Sequence, residues 1–270
     1  MDTENNKESN VKTTIDAVTG LAKAVPVYQD AVQPAAKEIG KSLETVTKTV
    51  NIALAPIKAL VWGYERIEDF LTKRVSEKLQ DIPDQNITTP PPHIAGPAVE
   101  ALRYSGHNES LRELYASLLA TAMNKSTTKK AHPSFVEVIK NLTPEEAALL
   151  QIFVSQHHYP KVNIEGKLPD NKGEVTEFQN FTLFHKLVKD LNVNAIPVYI
   201  DNLNRLGIIE IFHDEYLTAP NLYEPLENDE ALNKLKTQIQ QANRTLNFRK
   251  GLIRLTSFGK DFVNNVVAIK

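Results

Sequence analysis

The chain has 270 residues, 41% hydrophobic and 24% charged, a composition typical of a globular protein with one large or two modest cores. Its 31 basic residues are balanced by 33 acidic ones, so the net charge of −2 gives no global attraction to nucleic acid or anionic lipid. Cysteine is absent, which excludes disulfides, thiolate nucleophiles and cysteine-ligated zinc.

Residues 1–13 are polar and hold too few apolar groups to offset the entropy of ordering, so we expect a disordered tail. This tail lacks the apolar core of a signal peptide, and the sequence has no run of about 18 apolar residues that would predict a membrane span. We therefore expect a cytoplasmic protein, with a peripheral position at the inner membrane as the alternative.

Residues 14–80 predict an amino-terminal helical region. Apolar residues recur every three or four positions from about Pro34 to about Leu79, which predicts one long helix, bent where Pro56 and Gly63 weaken it. Between Val50 and Tyr64 the helix is apolar nearly all round, so burial against another helix, self-association and membrane contact are all open. The candidate membrane or partner contacts are Ile52, Leu54, Ile57, Lys58, Leu60, Val61, Trp62 and Tyr64.

Three consecutive prolines mark residues 81–96 as an extended strap, and residues 97–142 predict a small helical bundle. Pro97 suits the first position of a helix that Gly106 would end, and Asn108 can cap the next helix. Pro133 opens a short helix that runs through Leu142.

The bundle also holds mixed charges, which on helices are usually solvated ion pairs. We take them, with a neighbouring tyrosine, as candidate contacts for a partner: Glu100, Arg103, Tyr104, Glu109 and Arg112.

Residues 143–270 predict a winged-helix-like module with a short two-stranded wing. Thr143 and Glu146 form a capping box, and further helices are expected over 178–191 and from Pro197 to Gly207. Strands follow at about 208–212 and 246–256, separated by an insertion with one helix, and a closing helix begins after Thr256. The predicted fold is therefore mainly α.

A winged helix raises the question of DNA binding. The candidate nucleic-acid contacts are Asn202, Asn204, Arg205, Arg249 and Lys250. Residues 210–230 carry seven carboxylates and no lysine or arginine, which would repel a phosphate backbone. A DNA-binding regulator therefore stays an alternative, and a protein-contact module is favoured.

Other chemistries find little support. No two of the seven histidines have the spacing of a zinc protease motif, so we expect no metal site. The ten glycines form no phosphate-binding loop, no serine lies in a nucleophile elbow, and neither a cofactor nor a small-molecule substrate is indicated. A hydrolase built from Glu100, Glu109 and Glu113 is the remaining enzymatic alternative.

Two stretches resemble a known family: residues 25–44 with 53–70, and residues 90–124 with 131–150. The resemblance is specific in its proline and glycine punctuation and in the strings "AGPAVEALRY" (95–104) and "AHPSFVE" (131–137). The resemblance covers about residues 20–265 and is to the abortive-infection alpha family of bacteria. It implies a role in defence against bacteriophage, and it supplies no reaction and no catalytic residues.

We therefore expect a non-enzymatic sensor or effector of antiphage defence. Its expected contacts are a protein partner or a second copy of the chain, a phage component as the trigger, and a membrane surface as a further candidate.

Overall fold

The computed structural model describes residues 43–60 and 67–268 of the chain. Within them the protein is mainly helical, as predicted, with one small antiparallel sheet. The expected tail 1–13, residues 14–42 of the expected helical region, and Val61, Trp62 and Tyr64 lie outside the described residues.

Two antiparallel helices replace the single long helix expected up to Leu79. They are α1 (Leu43–Leu60) and α2 (Glu68–Leu79). Thr72 of α2 donates a hydrogen bond to Asn51 of α1 at 2.8 Å, although 21 residues of straight helix would separate them by about 30 Å. Lys58 and Glu68 form an ion pair at 2.7 Å, so the two helices run in opposite directions side by side. The expectation of one continuous helix is wrong. Packing between the apolar faces of α1 and α2 stabilises two shorter helices, although the helical periodicity of the sequence is continuous.

The bundle consists of α3 (Pro92–Ser105), α4 (Glu109–Met123) and α5 (Ser134–Lys140). Asn108 caps α4 as predicted, its side chain accepting a hydrogen bond from the Leu111 amide at 3.1 Å. The predicted start of α3 at Pro97 is wrong. The helix begins at Pro92, because the amide hydrogens of the first helical turn have no acceptor within the helix. Pro97 lies inside the helix, where it costs one backbone hydrogen bond.

The carboxyl-terminal half opens with α6 (Pro144–Leu150), which has the predicted capping box: the Thr143 amide donates to Glu146 at 2.7 Å and the Glu146 amide donates to Thr143 at 3.2 Å. The strands β1 (His158–Lys167) and β2 (Glu174–Phe181) follow, then a four-residue helix α7 (Phe184–Leu187). The predicted helix over 178–191 is therefore wrong. Pairing of β2 with β1 along most of its length stabilises the strand instead.

The remaining elements are α8 (Ile196–Arg205), β3 (Ile209–Phe212), the short α9 (Glu224–Glu227), α10 (Asn233–Gln241), β4 (Thr245–Leu255) and α11 (Ser257–Phe262). A π-helical turn, Val263–Val267, extends α11. The sheet has four strands in the order β2-β1-β4-β3, which corrects the predicted two-stranded wing.

The main hydrophobic core joins the amino-terminal hairpin, the bundle and the closing helix. Val50 and Ile57 of α1 are fully buried in it together with Leu118 and Val266. The Thr121 hydroxyl of α4 donates to the carbonyl of Asn265 at 2.5 Å, which fixes the closing helix to the bundle. A smaller cluster lies between the sheet and the insertion that contains α9 and α10. The main core therefore holds α2, α3 and α4 in fixed relative positions.

Candidate functional site: a groove on the helical bundle

A groove lies where α2 meets the turn between α3 and α4. Gly106 ends α3 and Asn108 caps α4, so only a short turn separates the two helices. This turn places the last residues of α3 beside the first turn of α4, and the start of α2 forms the opposite wall. The sequence therefore positions the groove through helix-ending and helix-capping residues.

The groove has two adjoining depressions, which we call together the bundle groove. The first has a volume of about 470 Å³ and is lined by Ile67, Phe70, Leu102, Arg103, Tyr104, Gly106, His107 and Arg112. The second, of about 280 Å³, is lined by Phe70, Lys73, Arg74, Glu109, Arg112 and Glu113. Phe70 and Arg112 line both depressions, so they form the ridge between them.

Arg112 holds the central position in the groove. Its guanidinium lies over the Phe70 ring, 5.0 Å from the centroid, a favourable cation–π geometry. The Glu109 carboxylate is 3.9 Å away, beyond hydrogen-bonding distance, and Glu109 is 82% exposed. The Arg112 Nε is buried without a hydrogen-bond acceptor. Arg112 is thus a fixed cation whose donors are only partly satisfied.

Arg103 and Tyr104 form the rim of the first depression. Arg103 binds Glu100 one helical turn away at 3.2 Å, and its guanidinium lies 5.7 Å from the centroid of the Tyr104 ring. Tyr104 is 71% exposed, an unusual environment for a large aromatic side chain. The rim therefore presents an arginine and an aromatic ring, two residue types enriched in protein interfaces.

Ionic contacts between α2 and α4 fix the second depression. The Glu113 carboxylate accepts a hydrogen bond from Arg74 at 2.7 Å and lies 3.5 Å from Lys78. Burial alone would raise the pKa of Glu113, but the hydrogen bond from Arg74 and the charges of Lys78 and Arg74 outweigh burial and lower it. Glu113 therefore stays ionised and contributes to joining the two helices.

Four of the five predicted partner contacts of the bundle line the bundle groove, and the fifth is paired with one of them. Arg103, Tyr104 and Arg112 line the first depression, Glu109 lines the second, and Glu100 binds Arg103 at the rim. Sequence reasoning missed the wall supplied by α2, because one continuous helix gave no indication that Phe70 and Arg74 lie beside the start of α4.

The predicted contacts of the apolar helix occupy different environments. Leu54 and Ile57 are buried in the main core, whereas Ile52 is 52% exposed and Lys58 is exposed. Leu60 is the last residue of α1. A membrane or a partner could contact Leu54 and Ile57 only after α1 had left the core. In the described part of the chain, no helix combines the length and apolarity needed to span a bilayer.

The residues considered for nucleic acid do not form one surface. Asn202 donates to the Asn141 carbonyl and to Glu146 at 2.9 Å, Arg205 donates to Asn202, and Asn204 is exposed. The other two are on β4, where adjacent side chains point to opposite faces.

Both residues on β4 are paired with carboxylates: Arg249 binds Asp214 at 2.6 Å, and Lys250 is 3.6 Å from Glu227. Two of the carboxylates predicted to repel DNA thus pair with these two basic residues.

The sheet contains a polar cluster that the sequence reading missed. Lys161 of β1 is fully buried, and its ammonium donates to Asn163 at 3.0 Å and to the Nδ1 of His213, which follows β3, at 2.8 Å. Asn163 also accepts from the amide of Asn180, a β-bulge residue with φ of 53°. Burial and the nearby charge of Arg249 lower the pKa of Lys161 to about 8.

Lys161 has no exposed surface, and we assign the cluster a structural role. The alternation of Val162 and Ile164 with polar neighbours was a signal for the strand. Nothing in that alternation indicated that the polar face would also be buried. Among the described residues, no three histidine, aspartate or glutamate side chains are grouped so that they could hold a metal ion.

The described part of the chain thus defines a mainly helical protein that has a small antiparallel sheet and a cationic groove on its bundle. The family model for abortive infection alpha matches residues 63–266, and the chain belongs to that family. This match confirms the resemblance inferred from the sequence.

Comparison with curated proteins gave no match. A solved structure of an uncharacterized protein from the hydrocarbon-degrading marine bacterium Alcanivorax borkumensis SK2 is 16% identical, covering 53% of this chain and 96% of that one, with a TM-score of 0.35. Similarity at that level carries no argument about function.

Proposed function

We propose that the protein acts in abortive-infection defence by binding a protein partner through the bundle groove, without catalysing a reaction. Family membership supplies the defence context. The observation that carries the proposal is the convergence of Arg103, exposed Tyr104 and Arg112 around a depression of about 470 Å³. Tyrosine and arginine dominate the binding energy of many protein interfaces, because each combines a large contact area with hydrogen bonding.

The partner in this proposal is a phage component or a host protein that infection alters, and a second copy of the chain is the alternative. The position of the groove supports such a role. The main core holds its three walls in place, so the contact residues need little ordering when a partner binds. A peripheral membrane role for α1 has less support, since the inward face of α1 lies in the core.

The proposal is tested by the plating efficiency of phage on cells that carry single variants of the protein. Tyr104→Asp places a charge on the rim and should reduce protection at least about tenfold, the cost of losing one strong contact residue. Val198→Asp is the matched control, because Val198 of α8 is 65% exposed and far from the groove in sequence. Its protection should equal that of the wild type.

Purified variants with the same thermal unfolding temperature would exclude misfolding. Full protection by Tyr104→Asp would refute the groove as the contact surface. Loss of protection in Val198→Asp alone would move the function to α8, the helix on which the DNA-binding alternative depends.

A further inference from the structure

The bundle groove carries excess positive charge on a protein of net charge −2. Arg103 and Arg112 line the first depression, and none of its lining residues is acidic. The second depression adds Lys73 and Arg74, and also Glu109 and Glu113. Arg74 is paired with Glu113 and Glu77, but the lining of the two depressions together still holds four basic and two acidic residues. A ligand that fits this distribution carries negative charge.

Arg112 indicates where one of the negative groups would bind. Its stacking on Phe70 fixes the guanidinium before a ligand arrives, and its ion pair with Glu109 is long and exposed. A guanidinium in a fixed position favours planar carboxylates, which it can bind through two parallel hydrogen bonds. Because the Nε is buried, a carboxylate from outside would bind the terminal nitrogens of the guanidinium, one of which is 3.9 Å from Glu109.

The first depression also has an apolar part to its lining. Ile67, Phe70 and Leu102 supply it, and a volume of about 470 Å³ accommodates a large apolar side chain. Since Phe70 and Arg112 belong to both depressions, a ligand that crosses this ridge meets apolar and cationic surfaces in turn. An extended segment with alternating apolar and acidic side chains matches this order.

We propose that the bundle groove binds an acidic peptide segment of the partner, with one large apolar side chain in the first depression and flanking carboxylates on Arg103 and Arg112. This inference rests on the proposed function, because it identifies the chemistry of the partner at the same surface. Charge complementarity also gives it a kinetic consequence: binding should weaken and association should slow as ionic strength rises.

The experiment is a selection of random displayed peptides on the intact purified protein. The enriched sequences should place Asp or Glu next to a large apolar residue. A labelled peptide of the enriched sequence should bind at least about tenfold more weakly to Arg112→Gln and Arg103→Gln, as expected for loss of a charge-assisted contact. Arg205→Gln, which removes an exposed arginine of α8, should bind as the wild type does.

Enriched peptides without acidic residues would overturn the proposal, and so would affinities unaffected by Arg112→Gln. A third result would also overturn the proposal. If phenyl phosphate displaced the peptide and had the higher affinity of the two, the groove would be a pocket for small anions. These failures are distinguishable from failure of the proposed function. If Tyr104→Asp still reduces protection in the plating assay, the groove remains the contact surface and only the acidic-peptide chemistry is wrong.

Discussion

Lys161 is the residue whose environment departs furthest from what its type suggests. A lysine on a strand with alternating polarity is expected to reach solvent, yet this one is fully buried between Asn163 and His213. Gly251 makes the position possible, because a Cβ there would collide with the Phe212 carbonyl and lie 2.5 Å from the Cε of Lys161. A buried ammonium without a bonded carboxylate costs free energy.

That cost makes the stability dependent on pH in a defined direction. The folded protein releases the Lys161 proton near pH 8, whereas the unfolded chain holds it until about the ordinary value of 10.5. Below pH 8 both states carry the proton and the penalty is complete. Between pH 8 and 10.5 only the unfolded chain carries the proton, so the contribution of Lys161 to stability rises with pH.

Lys161→Met should therefore be at least as stable as the wild type at pH 7, because methionine fills similar volume without a charge. Its advantage should shrink by up to about 3 kcal/mol as the pH rises from 7.5 to 10. Urea denaturation of both proteins at several pH values measures the difference. Lys140→Met, at an exposed lysine of α5, should show no such trend. An advantage that stayed constant with pH would argue against a buried Lys161.

At the scale of elements, capping and chain-breaking residues were the reliable guides. The Thr143–Glu146 capping box, the Asn108 cap and the end of α8 before Gly207 could all be read from the sequence, because each depends on residues within one turn. Gly207 has a φ of 72°, a backbone conformation that favours glycine.

The incorrect elements depended on distant contacts. The antiparallel packing of α1 and α2 relies on residues 21 positions apart, and β2 relies on pairing with β1. For the same reason, the sequence did not predict that α2 forms a wall of the groove. It did single out the groove residues of α3 and α4 as candidate partner contacts. Local propensity does not contain this information.

The packing of α1 gives a direct prediction. Ile57→Ala should lower the free energy of unfolding by about 2–5 kcal/mol, because it leaves a cavity in the main core. Ile52→Ala, on the exposed side of the same helix, should change it by less than about 0.5 kcal/mol. Chemical denaturation of the two variants provides the comparison. Equal stabilities would mean that α1 does not pack on the bundle in solution, and would strengthen the membrane alternative.

The closing helix offers a second test at this scale. A Cβ at Gly259 would collide with the Ile208 carbonyl, so Gly259→Ala should force α11 away from β3 and cost about 1–3 kcal/mol. Gly96 in α3 has nothing within 4 Å of the same position, and Gly96→Ala should stabilise by about 0.5–1 kcal/mol through helix propensity. Thermal unfolding of the two variants provides the comparison. A Gly259→Ala variant more stable than the wild type would contradict the close approach of α11 to Ile208.

For the whole molecule, the sequence predicted where acidic residues are concentrated, but it did not predict which basic residues they pair with. The acidic stretch 210–230 does carry carboxylates, and three of them pair with basic residues of β4: Glu210 with Arg254, Asp214 with Arg249, and Glu227 with Lys250. A cationic surface with less complete pairing lies on the bundle, around Arg112. The expectation of protein contacts rather than nucleic-acid contacts remains a prediction, now attached to a groove with named walls.

The plating efficiency of phage on cells that express a charge-reversed groove tests this central claim most directly. The double variant Arg103→Glu and Arg112→Glu should lose protection by at least about tenfold, because it repels the negative groups that the groove is proposed to bind. Arg205→Glu, expressed at the same level, should protect as the wild type does. Full protection by the folded double variant would contradict the claim that the protein acts through this groove.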